Sequence, residues 1–190
     1  MPRITKVTTR LGDKGQTYLA NREKVSKASR RIKAFGDIDE LNSCIGVCRS
    51  ICNNEEVNSI LRTLQEHLFL FGAELAHPNP PEDYPKIENY HLKYIEDMCE
   101  RFNQQLSPLK EFVLPTGTNF SALLHLARTV SRRAERSITH LNEKEHLRPV
   151  ILKYINRVSD LLFILARYVN KLEGKPEEEI NFKTIYRGEK

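Results

Sequence analysis

The spacing of apolar residues is the feature that most restricts how this 190-residue chain can fold. Five segments repeat their apolar residues every three or four positions, which places those side chains on one face of an α-helix. They cover about residues 32–52, 55–76, 86–106, 119–141 and 149–172. No strand-rich region follows residue 30, so we predict an all-α fold, a five-helix antiparallel bundle, in a single domain spanning residues 1–190.

The two ends of the chain lack this spacing. Residues 1–30 are polar and contain Gly12 and Gly15, and we predict an ordered or ligand-ordered loop with a short strand or two. Residues 31–172 then form the helical bundle. Residues 173–190 are charged, and we expect a mobile tail unless a ligand or a neighbour orders it.

Charge and hydropathy restrict the environment and the partners. The chain has 29% charged residues, no run of eighteen apolar residues and no apolar stretch near its N-terminus, so we expect a cytoplasmic protein without a membrane span. The net charge is +5, and residues 1–35 hold ten Lys/Arg against two Asp/Glu. A basic cluster of this kind suits nucleic acid, an acidic membrane or a polyphosphate, and composition favours none of them.

Three of the four cysteines, Cys44, Cys48 and Cys52, recur every four residues on the first predicted helix, and the fourth is Cys99. Three thiols on one helical face are compatible with a metal site. Small buried apolar side chains in a reducing compartment are the favoured interpretation, because no CxxC pair is present.

The fourth predicted helix carries a polar arc opposite its apolar face, formed by His125, Arg128, Arg132, Glu135 and Thr139. One interpretation is a solvated surface with an Arg–Glu pair. Phosphate binding is the other, because four arginines and no lysine occur within residues 128–136, and the forked guanidinium group matches phosphate oxygens.

Two other helices carry polar groups on a defined face. On the fifth helix, one face holds Lys153, Asn156, Asp160, Phe163 and Arg167, and an aromatic ring among polar groups suggests an apolar ligand there. On the first helix, Asp37, Asp39 and Glu40 are predicted to point away from the apolar face. They either favour the helix dipole or bind a cation or a neighbour's arginine.

The N-terminal stretch TTRLGDKGQT, residues 8–17, has two glycines with basic residues nearby. It matches neither the Walker A pattern nor G-x-G-x-x-G. Glycines let backbone N–H groups turn toward an anion, although a surface turn flanked by lysines explains this stretch equally well when it is taken alone.

Taken together, four segments closely resemble the PduO-type ATP:cob(I)alamin adenosyltransferases over about residues 4–172. They are TTRLGDKGQT, SKASRRIKAFGDIDELNS, FVLPTGTNFSALLHLARTVSRRAERSI and YINRVSDLLFILARYVN. The resemblance implies a homotrimer with an active site at each subunit interface. It also implies transfer of the 5′-deoxyadenosyl group of ATP to the cobalt of cob(I)alamin, with Mg²⁺ present, giving adenosylcobalamin and triphosphate.

The resemblance assigns roles to individual residues of this chain. The expected ATP-binding residues are Thr9, Arg10, Leu11, Gly12, Thr17, Tyr18, Lys27, Arg132, Arg133, Ala134, Glu135, Arg136 and Asn156. Glu135 is expected near Mg²⁺. The expected catalytic residues are Arg128, Arg132, Asp39 and Phe112, with Arg128 pairing with Asp39 of the adjoining subunit.

The corrin ring is expected against Phe112, which would exclude the lower axial ligand of cobalt, and against Phe163 and Asp39. A cob(II)alamin reductase and an adenosylcobalamin-dependent enzyme are the implied protein partners. The chain departs from the family at Pro115-Thr116-Gly117 and at KASRR, where Arg31 would take the role of the usual arginine. The roles of Phe182 and Tyr186 in the tail stay open.

Two other function classes remain. One is a binding module that holds ATP or adenosylcobalamin and delivers or senses it without turnover. The other is a basic helical protein that binds nucleic acid, which would show a steep salt dependence and would not need Glu135 or Asn156.

Overall fold

The computed structural model describes residue 8 and residues 10–187. This part of the chain is mostly helical and contains six helices and one small sheet. The strands are β1 (Gln16–Tyr18) and β2 (Lys24–Ser26). The helices are α1 (Arg30–Ser50), α2 (Glu55–Ala76), α3 (Asn89–Asn103), α4 (Asn119–Glu145), α5 (Pro149–Leu172) and α6 (Phe182–Arg187).

Local hydrogen bonds set the helix boundaries. The side chains of Ser29, Asn54 and Thr118 accept from backbone N–H groups in the first turns of α1, α2 and α4. Pro149 opens α5, where its missing N–H has no cost. The predicted bounds of α2 and α5 are confirmed, whereas α3 is shorter at both ends than the spacing indicated and α4 runs four residues further.

The apolar faces of the five long helices meet in one core. Helix α4 packs on both α1 and α5, α1 also packs on α2, and α5 also packs on α3. The largest buried side chains include Tyr154, Phe71 and Phe102. Among the described residues, none of the helices has the length and the apolar character that crossing a bilayer requires.

The strands predicted before residue 30 are present as a small antiparallel hairpin. Thr17 pairs with Val25 at its centre. The hairpin is attached to the helices because the N–H of Ala20 donates to the carbonyl oxygen of Ala76, at the end of α2, over 2.9 Å. Leu19 is buried beneath it.

The C-terminal segment is attached to the connection between α3 and α4. We call residues 104–118 the Phe112 loop and residues 175–181 the C-terminal strap. The N–H of Ile180 donates to the Phe112 carbonyl oxygen over 2.7 Å, and the N–H of Leu114 donates to that of Glu178 over 2.8 Å. The first part of the tail is therefore hydrogen-bonded to the Phe112 loop.

Three polar side chains on the polar faces of the helices are buried. His125 and Arg167 are each 4% exposed, and Asp37 is buried between Lys33 and Ser137. The solvated-surface interpretation of the polar arc on the fourth helix therefore does not hold for His125. Helical spacing gives the direction of a side chain around its own helix but does not reveal the loops and neighbouring helices that cover it.

Gly117 and Asn170 together shape the turn that leads into α4. Gly117 has a φ of 122°, and a Cβ there would lie 2.1 Å from the Asn170 side-chain oxygen. The buried Asn170 amide donates to the Thr116 carbonyl oxygen over 2.9 Å and accepts from the Thr118 N–H over 3.0 Å. The turn therefore needs glycine at position 117, both for its backbone conformation and for this contact.

Replacing Gly117 by alanine should destabilise the protein by about 3 kcal/mol, since a positive φ and a steric clash act together. Gly174→Ala is the matched control, because Gly174 also has a positive φ but has open space at its Cβ position. The control should lose only about 1 kcal/mol. Urea unfolding measures both free energies, and equal losses would show that the Asn170 contact is unimportant.

Acid should destabilise the protein partly through His125. Burial, and then the charge of Arg128, lower the pKa of this histidine from 6.5 to about 4. Between these two pKa values, His125 binds a proton in the unfolded chain but not in the folded chain. The free energy of unfolding therefore decreases as the pH falls from about 6.5 toward 4. His125→Leu should remove on the order of 2 kcal/mol of the loss in unfolding free energy between pH 7 and pH 4.5.

The control for this measurement is His146→Asn, at an exposed histidine with a left-handed backbone that asparagine also adopts. The pH dependence of this variant should equal that of the unchanged protein. A His125→Leu variant with the same pH dependence would contradict the assignment.

Candidate functional site

A cavity of about 540 Å³ lies where α4, α5 and the Phe112 loop meet. The loop contributes Leu109, Lys110, Glu111, Phe112 and Val113, α4 contributes Arg128 and Arg132, and α5 contributes Ser159, Asp160 and Phe163. The lining thus combines apolar and aromatic side chains with the two arginines of α4. The cavity suits a ligand that is large, partly apolar and anionic at one end.

The two arginines that face the cavity have no carboxylate to neutralise them. Within residue 8 and residues 10–187, neither Arg128 nor Arg132 forms an ion pair, and the Nε atom of Arg128 is buried without a hydrogen-bond partner. Burial, and then the neighbouring charge of Arg132, lower the pKa of Arg128. A bound anion would relieve both effects.

The other residues of the RRAER stretch lie elsewhere. Arg133 turns toward α1 and forms an ion pair with Glu40 at 2.5 Å, which raises its pKa. Ala134 is buried in the core, so only its helical backbone is near the polar face. Arg136 is exposed and donates to the carbonyl oxygen of Arg132 over 3.1 Å. The structure therefore separates four arginines that looked equivalent in sequence.

Glu135 and Asn156 join α4 to α5 about one turn from the cavity. The Asn156 amide donates to a Glu135 carboxylate oxygen over 3.0 Å. Glu135 keeps its second oxygen for another partner, and Asn156 is exposed. These two predicted ligand residues are brought together, although neither lines the cavity.

The acidic residues of α1 divide in a similar way. Asp37 accepts from Lys33 over 3.0 Å and also from the Ser137 hydroxyl, and Glu40 is held by Arg133. Asp39 is exposed, and its carboxylate has no ion-pair partner in the described part of the chain. Asp39 is therefore the carboxylate of this group that is available to another molecule.

A second, smaller cavity of about 290 Å³ lies between the hairpin, α1 and the end of α2. Thr17, Tyr18 and Lys27 line it together with Arg31 and Phe35. It shares no lining residue with the larger cavity. Three residues of the N-terminal segment that are predicted to bind the nucleotide therefore line the smaller cavity. The α4 residue Arg132, which is predicted to contact the phosphates, lines the larger one.

Arg31 is occupied by contacts within the protein. It is buried, donates to the Leu75 carbonyl oxygen over 2.5 Å and forms an ion pair with Glu145. Arg31 therefore ties the end of α2 to the end of α4. A role in binding phosphate would require it to give up this ion pair.

The glycine-containing stretch forms a turn at the edge of the hairpin. Arg10 and Leu11 are exposed, and Arg10 has a φ of 61°. A Cβ at Gly12 would lie 2.7 Å from the Lys27 amino group, so glycine allows that amino group to lie against the turn. Thr9 lies outside the described residues.

Aromatic rings form the apolar wall of the larger cavity. Phe112 is 71% exposed in the single chain and meets the Phe182 ring edge-on, with 5.9 Å between the centroids. Phe163 packs on the His125 ring at 5.9 Å. Tyr186 is 93% exposed. Phe182 of the C-terminal tail therefore contacts Phe112.

The described residues contain no group of three His, Cys, Asp or Glu side chains arranged to hold a metal ion. Burial raises the pKa of Cys48 and of Cys99 to about 12, so these two thiols are held in the neutral form of small apolar side chains. Glu135 is one carboxylate with a free oxygen. That suits a magnesium ion held mainly by the phosphates of a ligand, because Mg²⁺ often takes only one or two protein carboxylates.

Sequence reasoning missed several cavity residues. Ser159 and Asp160 belong to the YINRVSDLLFILARYVN segment, but no role was predicted for them. No role was predicted for Lys110 and Glu111 either, although they adjoin Phe112. Their positions within or next to the segments that resemble the family could have identified these four residues. Arg167 and Asn170 were missed because a polar residue on a mainly apolar helix does not reveal which loop it holds.

The comparisons with known proteins agree on one family. The sequence pattern of the cobalamin adenosyltransferase family matches residues 7–169. The chain is 41% identical over 176 residues to a corrinoid adenosyltransferase of Mycobacterium leprae, covering 88% of this chain and 92% of the relative. It is 40% identical over 173 residues to a cobalamin adenosyltransferase of Cupriavidus metallidurans, covering 90% and 92% of the two chains.

Among solved structures, the chain is similar to a variant PduO-type ATP:corrinoid adenosyltransferase from Lactobacillus reuteri, complexed with cobalamin and ATP. The TM-score is 0.86 at 35% sequence identity, and the match covers 93% of this chain and 99% of that chain. Sequence and fold give the same result over nearly the whole chain. The protein therefore belongs to the cobalamin adenosyltransferase family.

Proposed function

We propose that this protein transfers the 5′-deoxyadenosyl group of ATP to the cobalt of cob(I)alamin, giving adenosylcobalamin and triphosphate. The observation that most supports the proposal is the larger cavity. There Arg128 and Arg132, unpaired within the described chain, face Phe112 and Phe163. A corrin and a polyphosphate are together the kind of ligand that needs both an apolar and a cationic wall.

In this reaction the protein has to orient the two substrates and neutralise the charge of the leaving group, and no general base is needed. Cob(I)alamin is the nucleophile: the electron pair on cobalt forms a bond to C5′ of ATP while the C5′–O bond breaks. The departing triphosphate takes the bonding electrons as negative charge. Arg128 and Arg132 would stabilise that charge as it develops, since two cations already stand at the cavity wall.

The nucleotide would be bound mainly by the hairpin and its glycine-containing turn. The proposed ATP contacts are Thr9, Arg10, Leu11, Gly12, Thr17, Tyr18 and Lys27, with Arg132, Arg133, Ala134, Glu135, Arg136 and Asn156 on the helices. Support comes from Thr17, Tyr18 and Lys27, which line one cavity. Arg133 contributes only if its ion pair with Glu40 opens.

A homotrimer would unite the two cavities. The hairpin residues and the cavity arginines line different cavities of one protomer, so a site containing both sets is most simply built between two protomers. The unpaired carboxylate of Asp39 and the unpaired guanidinium of Arg128 are complementary charges. We infer that they pair across that interface, beside the corrin.

Glu135 would hold Mg²⁺ through the carboxylate oxygen that Asn156 does not use. When bound, the ion would neutralise phosphate charge beside the arginines. Asn156 would keep the Glu135 carboxylate oriented and would itself contact the nucleotide.

Phe112 would displace the lower axial ligand of cobalt, and Phe163 would line the same pocket. Phe112 lines the cavity and is exposed, while its carbonyl oxygen and the N–H of Leu114 are hydrogen-bonded to the C-terminal strap. Removing the lower ligand makes cob(II)alamin easier to reduce. We infer cytoplasmic turnover, with a cob(II)alamin reductase supplying the electron and an adenosylcobalamin-dependent enzyme using the product.

We also infer that α1–α5 form the antiparallel five-helix bundle of the family. The supporting contacts are those of α4 with α1 and α5, of α1 with α2, and of α3 with α5. A protein that only delivers or senses ATP or adenosylcobalamin would use the same ligand residues. Turnover distinguishes the two functions.

Arg132→Ala should lower the rate of adenosylcobalamin formation by about 100-fold or more, because a cation that faces the departing triphosphate is lost. Anaerobic incubation with ATP and chemically reduced cobalamin, followed by corrin absorption, measures the rate. Arg62→Ala removes an arginine that pairs with Glu66 on the exposed side of α2 and should leave the rate unchanged. Equal rates in all three proteins would count against the proposed function.

Phe112→Ala should slow the reaction from cob(II)alamin by about tenfold more than the reaction from chemically reduced cob(I)alamin. The first reaction requires removal of the lower ligand before reduction, whereas the second starts after it. Leu114→Ala removes an exposed apolar side chain of the same loop that does not line the cavity. If Phe112→Ala slows both reactions equally, Phe112 does not act on the axial ligand.

A further inference from the structure

Arg167 is a buried cation that contacts three separate parts of the chain. It lies on α5 one turn after Phe163, and its guanidinium carbon is 5.9 Å from the Phe163 ring centroid. One nitrogen donates to the Ser107 carbonyl oxygen over 2.8 Å and to the Glu177 carboxylate over 2.9 Å, and Nε donates to the same carboxylate over 2.5 Å. Arg167 thus joins the cavity wall, the start of the Phe112 loop and the C-terminal strap.

The strap also contacts Phe112 directly. Three residues after Glu177, the N–H of Ile180 donates to the Phe112 carbonyl oxygen over 2.7 Å. Two residues further on, the Phe182 ring packs edge-on against the Phe112 ring. The backbone of Phe112 is therefore held by the strap and its ring contacts Phe182, the residue that follows the strap. The strap is held to α5 by the carboxylate of Glu177.

The Arg167–Glu177 pair restrains the strap more firmly than a surface ion pair does. Arg167 is 4% exposed, and the two-point contact with one carboxylate fixes its direction. Release of the strap would leave a buried cation with only the Ser107 carbonyl oxygen, which is strongly unfavourable. The neighbouring Glu178 and Glu179 are exposed, and their side chains form no ion pair within the described residues.

We propose that Arg167 and Glu177 are positioning residues that hold Phe112 at the angle needed to displace the lower ligand of cobalt, and so adapt the enzyme to corrinoids that carry one. This inference rests on the proposed function. Neither residue contacts the reacting atoms. Their effect on turnover passes through Ser107 at the start of the loop and through the strap at Phe112.

The test compares Glu177→Ala with Glu178→Ala, two losses of one carboxylate from the same strap. Each variant, as the full-length chain, is given ATP, a reductant and either cob(II)alamin or cob(II)inamide. Cobinamide lacks the nucleotide base that serves as the lower ligand, so only a weakly bound water has to leave the cobalt. Glu177→Ala should lower kcat/KM for cob(II)alamin by about tenfold or more and leave cob(II)inamide unchanged. Glu178→Ala should leave both unchanged.

Two further variants separate positioning from a general loss of structure. Adding Glu177→Ala to Phe112→Ala should cause no additional loss with cob(II)alamin, because the ring that the strap positions is already absent. Arg167→Lys keeps the charge but not the fork that reaches both Ser107 and Glu177, so its defect should be intermediate. Equal defects with both corrinoids, or equal behaviour of Glu177→Ala and Glu178→Ala, overturn the proposal.

Amide hydrogen exchange keeps this inference distinct from the proposed function. Glu177→Ala should speed exchange at Leu114 and Ile180, while Glu178→Ala should not. If the unchanged protein showed no turnover, the proposed function would fail and the exchange data would still decide whether the ion pair holds the loop. Equal exchange in both variants overturns the positioning role whatever the activity.

Discussion

The packing of α4 against α5 is the contact on which the candidate site depends. It places Arg128 and Arg132 of one helix beside Ser159 and Phe163 of the other. Two like charges so close together disfavour each other, and burial adds to this, as the lowered pKa of Arg128 indicates. The core of apolar side chains between the helices holds the arginines in place, so the protein keeps an unneutralised cationic wall ready for an anion.

The charged side chains of this protein are of two kinds: some form ion pairs that join parts of the fold, and others are free to contact another molecule. Arg31, Arg133 and Arg167 each have a carboxylate partner and join separate segments of the chain. Arg128 and Asp39 have no ion-pair partner among the described residues. In a closed symmetric assembly, two such opposite charges on each chain can form ion pairs between neighbouring chains, because each chain supplies one member of every pair.

Some of this followed from the sequence. The helical spacing predicted five long helices, with the bounds of α2 and α5 correct, and the quoted motifs were sufficient to name the family that the comparisons confirm. Phe112, Arg128, Arg132 and Phe163 were all named beforehand, and they line one cavity. The roles of individual residues in binding and catalysis remain predictions. The burial of His125, Asp37 and Arg167 was not predicted, because other segments of the chain cover these side chains.

By itself, the sequence determined the helices, the family and the identity of the chemically useful side chains, because these depend on local spacing and short motifs. Only the tertiary structure decided which arginines are paired and which are available, and that the C-terminal strap holds the Phe112 loop. The physical reason is that an ion pair such as that of Arg133 with Glu40, or a backbone hydrogen bond such as that from Ile180 to Phe112, joins residues far apart in the chain. Such a contact is set by how helices and loops meet in space, which no local pattern records.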